Sequence, residues 1–497
     1  FAISTLAWTD EEPSSLEYAM YRFPQSELTE AWAMPLIEWD DPLSPAYWSK
    51  LGGALLRDFD ASPTLTDIIL PTGTFFFLVR ARDSMGAIGT ASLPGVEVAV
   101  SEEALTLGDV SSAFDAARAS NSPGAVLNTL SAVTAAVASG EDEALRRAAV
   151  QESLNALTFV VGIFQPDSSS VSQLGSTISS MVSASSGSMS VDNLFAVLNV
   201  TSSVIGVVRG VGSSGMDGAG GSAMLSSLSS LNAASSPSSG ARWGRTASRS
   251  FKEQQALANT AIEVANQLGT AVAEPMTAGT ETTLDGTDAS GTGAQMGVSK
   301  VVSLSAQSSA VSGLSWGGRR LSAPCTDIHI QQTSWIGSNP HAYADPALGE
   351  VLPLARGPLN GYVPENATVK ILNMEACGEP IEYVNGDARR LLITLTGSSA
   401  LSVSLTMPSA PGEAEEGYGW DPVCAWFNAN TSEWTTEGAE IVGSVNESGG
   451  DVTCQASTGG SNMAYTGVWI ELLLPTTTTT TTTRPYIPPS TAPPDTT

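Results

Sequence analysis

Apolar positions change period twice along the chain, and each change predicts a change of architecture. Up to about residue 100 the period is two. The clearest run leads from a turn at Pro71-Thr72-Gly73 through Thr74-Phe75-Phe76-Phe77-Leu78-Val79-Arg80-Ala81-Arg82 to Asp83-Ser84-Met85-Gly86, an aromatic and β-branched strand between turn signals. Alternation puts Phe75, Phe77, Val79 and Ala81 on one face and Arg80 and Arg82 on the other. The earlier run from Leu16 to Pro24 is a partner for the same sheet. From about 101 to 275 the spacing alternates between three and four. The stripes are Val126, Leu130, Val133, Val137; then Val150, Leu154, Leu157, Val161, Phe164; then Val171, Leu174, Ile178, Met181; then Leu194, Leu198, Thr201, Ile205, Val208; and finally Leu257, Ala261, Val264, Leu268. Each stripe is one-sided, so each helix must bury it against neighbours and a bundle follows. Asn121-Ser122-Pro123 opens the first stripe, with Pro at a tolerated first-turn position. Glu141, Asp142 and Glu143 open the second, where acids suit the helix dipole, and Pro166 stops it.

Gly/Ser segments at Gly210 to Gly221 and Ala233 to Gly240 interrupt the bundle, and Thr277 to Gly297 reads as a further linker. After Trp316-Gly317-Gly318-Arg319-Arg320 the period returns to two. The expected strands are Ile328 to Trp335, Ala367 to Leu372, Leu391 to Thr396, Leu401 to Thr406, Val423 to Phe427, Ala439 to Val442 and Met463 to Leu473. The resulting expectation is an α+β multidomain chain: a β-sandwich over 1–100, a helical unit with Gly/Ser linkers over 101–320, a β-rich unit over 321–474 and a disordered Thr/Pro-rich stalk over 475–497.

Composition narrows the function classes. With 497 residues the chain has room for roughly three domains. Acids outnumber bases 50 to 21, a net charge of −29, and the sign argues against a phosphate backbone as partner. Four Cys contain no CxxC pair and allow three pairings; two His, His329 and His341, are too few for a typical zinc site and read as surface or packing residues. Sequons at Asn199, Asn366, Asn430 and Asn446 make N-glycosylation candidates. The run Leu194 to Val208 holds Asn199, Thr201, Ser202 and Ser203 and reads as a soluble helix rather than a membrane span. The start at Phe1 and the Thr476 to Thr483 run before a Pro/Ser/Thr tail read as part of a longer chain with an O-glycosylated stalk.

Enzyme motifs fail one by one. The Gly210 to Gly221 segment follows no strand of a βαβ unit, so it is no dinucleotide loop. Asp285-Gly286-Thr287-Asp288-Ala289-Ser290-Gly291 lacks the closing Glu of a calcium loop. No Walker loop, His-Glu-x-x-His helix or Gly-x-Ser-x-Gly elbow occurs. Neither a cofactor nor a metal is expected.

One stretch carries a specific resemblance. Cys424-Ala425-Trp426, then Trp434-Thr435-Thr436-Glu437-Gly438, then Cys454 follow the pattern Cys-x-Trp, Trp-x-x-x-Gly-Cys, Cys-x-Cys-x-His-Leu-Thr. In this the chain resembles the membrane-proximal proteolysis (GPS) motif that closes the autoproteolysis-inducing (GAIN) domain of polycystins and adhesion receptors. Ala439 and Ala456 stand where the second and fourth Cys belong, and both absences fall on one family disulfide. The resemblance therefore implies a Cys424–Cys454 bridge, which leaves Cys325 to Cys377. A Gly-x-aromatic strand closing on Asp-x-x-Gly, ahead of the helical unit, is similar to the sandwich ending the receptor-for-egg-jelly region, which favours polycystins over adhesion receptors. In that family a His base activates a Thr or Ser hydroxyl at the scissile bond. Here Thr458 occupies the His position and Gly459-Gly460 replace Leu-Thr, with no His after His341. The resemblance thus implies a non-catalytic extracellular region of a cell-surface membrane protein, a spacer, adhesion or signal-relay element that has lost self-cleavage. Its ligand would be an extracellular protein or glycan, and its membrane attachment would lie outside residues 1–497. The alternative is a structural glycoprotein of a cell coat or matrix without signalling.

Overall fold

A computed structural model describes residues 3–4, 16–24, 54–61, 63–65, 70, 73–85, 87–98, 105–138, 142–164, 166, 168–186, 189–211, 216, 218–235, 251–301, 314–315, 328–341, 367–376, 379–380, 382–384, 394–395, 401–407, 409–410, 418–428, 433–436, 438–443, 445, 449–456, 458–460 and 463–473. Within these residues the chain is mixed α and β, with seven helices and several antiparallel sheets.

The first sheet runs β2–β1–β3–β4, built from β1 (Glu17–Pro24), β2 (Ala54–Asp60), β3 (Gly73–Arg82) and β4 (Ile88–Val98). The alternation expected on β3 holds in part, since Leu78 is buried on the face of Arg80 and Arg82 and Val79 is only partly buried. Phe75, Phe77 and Ala81 are buried, and Met20, Leu56, Leu70 and Val98 complete that core. On the opposite face Arg82 reaches across the ladder to Glu17 at 2.5 Å. Arg22 is buried beneath the Phe75 ring, 5.1 Å from its centroid, and desolvation lowers its pKa to about 10.

Seven helices follow: α1 (Leu107–Ala119), α2 (Pro123–Ala138), α3 (Glu143–Ile163), α4 (Ser168–Ser185), α5 (Val191–Val211), α6 (Gly218–Ser235) and α7 (Phe251–Ala273). Their starts are written in the sequence. Thr106 and Asp109 form a reciprocal capping box on α1. Asn121, at φ 52°, takes the left-handed conformation that Asn tolerates, and so turns the chain into Pro123. Asp142 caps α3, accepting hydrogen bonds from the Ala144 and Leu145 amides. All five expected stripes are buried or partly buried in one core.

Two of the helices lay outside the expected stripes. The more informative is α6, Gly-Ala-Gly-Gly-Ser-Ala-Met-Leu-Ser-Ser-Leu-Ser-Ser-Leu-Asn-Ala-Ala-Ser, whose glycines belonged to an expected linker. Small residues let α4 and α6 almost touch: a Cβ added to Gly175 would sit 2.6 Å from the Ala223 carbonyl carbon. Hydroxyls fill the seam, with Ser179 Oγ 2.8 Å from Ser230 Oγ. The same helix seals an edge of the large sheet. Ser222 Oγ accepts the Asp285 amide of the edge strand at 3.1 Å, a donor that strand pairing leaves free at an edge, and Ser229 Oγ accepts the Ala294 amide of the next strand in at 2.9 Å.

Those amides belong to the second correction. Residues 277–297 are no linker; they hold β5 (Thr280–Thr287) and most of β6 (Gly293–Val301), a hairpin in the large sheet. The other main strands are β7 (Ile328–Ile336), β8 (Val369–Ala376), β9 (Leu401–Met407), β10 (Tyr418–Asn428), β11 (Glu433–Thr435), β12 (Ala439–Val442), β13 (Gly450–Ala456) and β14 (Met463–Leu473). The large sheet runs β11–β10–β14–β8–β7–β6–β5, all antiparallel. A smaller sheet runs β12–β13–β9, with Leu314–Ser315 beside β9.

The large sheet is the middle layer. Leu284, Met296, Val298, Trp335, Val369, Ile371, Phe427 and Trp434 share the helical core. Ile328, Ile330, Leu372, Met374, Cys424, Tyr465 and Trp469 pack the other way, against Val403, Leu405, Met407, Val452 and Cys454 of the small sheet. Such a sheet is buried on both faces at its centre, which is why its strands mix apolar residues on both parities.

Candidate functional site

The motif residues divide between the two faces of the large sheet. On β10, successive side chains take opposite faces. Cys424 and Trp426 turn to the small sheet, Ala425 and Phe427 to the helices. Cys424 is bonded to Cys454 of β13 with Cα atoms 5.8 Å apart, and both are buried. The bridge therefore staples one sheet to the other rather than closing a hairpin. Cross-linking across 30 positions removes denatured-state entropy equivalent to about 3–4 kcal/mol.

The two motif indoles do not share a pocket. Trp426 is half-buried on the small-sheet side. Trp434, opposite Phe427 in the β10–β11 ladder, is fully buried on the helical side. There it meets Phe427 edge-on, with centroids 5.6 Å apart, and His341 at 5.9 Å. His341 stacks flat on Phe427 at 3.9 Å. Its backbone amide donates to Asn339 Oδ1 at 2.9 Å. Burial pushes the His341 pKa from 6.5 down to about 3, so near neutral pH the imidazole is an uncharged plate in the core. This gives His341 the packing role expected of it. His329 lies at the other end of β7, between Lys300 and Glu375 in the strand register.

Gly438 sits at φ 73° in the turn leading into β12, where the Ala439 amide returns to the Thr436 carbonyl. A side chain is strained in that left-handed conformation, which accounts for glycine at this motif position. Ala439 and Ala456 are direct partners across the β12–β13 ladder. Facing residues on antiparallel strands have Cα atoms about 4.5–5.5 Å apart, within the span of a disulfide.

Thr458, Gly459 and Gly460 form a short strand opposite Val384, Tyr383 and Glu382. The rejected calcium loop is the tip of the β5–β6 hairpin. Asp288 Oδ1 accepts the Ser290 amide at 2.8 Å and the Thr292 amide at 3.0 Å, so its carboxylate is committed to the turn and held below its usual pKa first by the Ser290 hydroxyl. Among the described residues no group of three or more His, Cys, Asp or Glu could hold a metal ion. Asn199 is exposed on α5. Asn366, Asn430, Asn446, Cys325, Cys377 and the stalk over 475–497 lie outside the described residues.

No protein-family model and no curated protein matches this chain. Among the described residues α5 alone is long and apolar enough to cross a membrane, and its Leu194, Val197, Leu198, Val204, Ile205 and Val208 are in the helical core.

Proposed function

We propose that this chain is a non-catalytic extracellular region of a polycystin-like or related cell-surface protein, a mechanical spacer and relay whose self-cleavage has been lost. The observation that carries this reading is the pairing of Ala439 with Ala456. These are the two positions where the GAIN resemblance places its second disulfide, and they face each other on adjacent strands. Two lost cysteines that fit one lost bridge favour descent from a GPS motif over chance spacing. The buried Cys424–Cys454 bridge supports an oxidising compartment. Loss of cleavage follows from chemistry: with Thr458 in the His position and no His after His341, a hydroxyl there has no local imidazole to take its proton. The other nearby requirement, a movable base, is not met by His341, which is locked between Phe427 and Trp434.

The test is a denaturing gel of the full chain secreted from eukaryotic cells. A single band, collapsing to the mass of the unmodified chain after deglycosylation, is the expected outcome. Two fragments split near residue 460 would overturn the loss of cleavage. Full-length protein that partitions into matrix rather than with membranes would favour the cell-coat alternative.

A further inference from the structure

The Asn199-Val200-Thr201 sequon has an unusual setting. Such acceptors are ordinarily found in surface loops, yet this one is in the middle of α5 (Val191–Val211). Its two functional side chains have opposite environments. Asn199 is exposed. Thr201 is fully buried, and its hydroxyl donates to the Val197 carbonyl at 2.9 Å. A glycosyltransferase must reach both, because the hydroxyl two positions on is part of what marks the asparagine as acceptor. In the folded helix it can reach only one. Among the described residues, the surface beside Asn199 nevertheless has room for a sugar. Ser203, one turn on, is exposed, and a Cβ built at Gly206 or Gly210 would meet nothing within 4 Å.

We propose that Asn199 carries an N-linked glycan attached before α5 folds into the bundle, and that folding then closes the acceptor for good. In the transfer, the bond from the anomeric carbon of a lipid-pyrophosphate-linked oligosaccharide to its phosphate oxygen breaks. A new bond forms from that carbon to Asn199 Nδ2, the lipid pyrophosphate leaves, and one amide proton is lost. When α5 forms, Thr201 turns inward to Val197 while the modified Asn199 stays in solvent, so the sugar adds no burial penalty. The order of events is built into the helix: an unfilled site becomes unfillable.

The inference rests on the extracellular reading for its biological relevance, but its test does not. The full chain is expressed with a secretion signal supplied in front of it, so passage through the glycosylating compartment is forced whatever the natural location. Enzymatic deglycosylation in heavy-oxygen water, followed by peptide mass spectrometry, should convert most Asn199 to labelled Asp. The near-isosteric Thr201→Val change should abolish the label. In the second arm, unglycosylated chain made in bacteria is incubated with purified oligosaccharyltransferase and its lipid-linked donor. The folded chain should remain unmodified at Asn199, while the chain carrying Phe114→Asp, which breaks the bundle core on a different helix from the sequon, should be modified in the same buffer. Absence of label at Asn199 in the secreted chain overturns the site. Equal modification of the folded and Phe114→Asp chains overturns the order of events. Finding the natural protein in a reducing compartment would count against the extracellular reading alone and leave both arms intact.

Discussion

His341 illustrates how one buried side chain writes a pH dependence into the whole fold. Folded, it titrates at about 3; unfolded, at its ordinary 6.5. Between those values the unfolded chain binds a proton that the folded chain refuses. Its contribution is therefore fully present above pH 6.5 and is lost as the pH falls toward 3, at about 1.4 kcal/mol per unit. Replacing it by Phe keeps an aromatic plate against Phe427 and removes the titration. Urea midpoints measured from pH 7 to pH 5 should fall more steeply for the wild-type chain than for His341→Phe; parallel curves would show that His341 is not buried neutral. The role was half legible in sequence. A lone His with no Cys or paired acids beside it suggested packing, but nothing in the spacing announced Phe427 and Trp434 as its neighbours, because they lie more than 80 positions away in the chain and meet it only through the sheet.

At the scale of elements, apolar periodicity located what was built from large side chains and missed what was built from small ones. The stripes from Val126 to Leu268 are core residues. Helix α6 went unrecognised because close approach was achieved by removing side chains, so glycines that read as breakers are contact points. Its Met224, Leu225, Leu228 and Leu231 were the available signal. The β5–β6 hairpin was hidden for a related reason: Leu284 is the large apolar side chain that β5 buries, while Gly286 presses its backbone to α6, with a would-be Cβ 2.6 Å from the Ser226 nitrogen. Two substitutions separate these meanings of glycine. Gly175→Ala should destabilise by about 1–3 kcal/mol because the α4–α6 backbones cannot separate freely. Gly206→Ala, with open space around it, should be neutral or gain up to about 1 kcal/mol from helix propensity. Denaturant titrations of the pair decide this, and equal effects would refute the close crossing. The motif strands allow a constructive test as well. Ala439→Cys with Ala456→Cys should oxidise spontaneously to a further bridge, leaving no more free thiol by titration than the parent chain and adding roughly 3 kcal/mol for a loop of this length. Two free thiols more than the parent chain shows, in the folded double variant, would mean that the two positions do not face each other.

For the whole molecule, the large sheet serves two cores, one toward the helices and one toward the small sheet, and only the second contains the cystine. Replacing both Cys424 and Cys454 by Ala should cost about 2–5 kcal/mol. Hydrogen-exchange protection should fall first in β9 and β13, while α4 and α6 keep theirs; uniform loss everywhere would indicate that the layers unfold as one unit. The bridge also sets how far the chain can be drawn out. Load applied beyond Leu473 passes back through β14 to Cys454, then crosses directly to Cys424, bypassing the chain between them over a sequence separation of 30. Those residues take no part in extension, which shortens the stretched chain by roughly 100 Å at about 3.3–3.6 Å per residue. In a single-molecule pulling trace the oxidised molecule should therefore stop short of the reduced one by that length, so the cystine acts as a limiter on reach as well as a fastening between sheets.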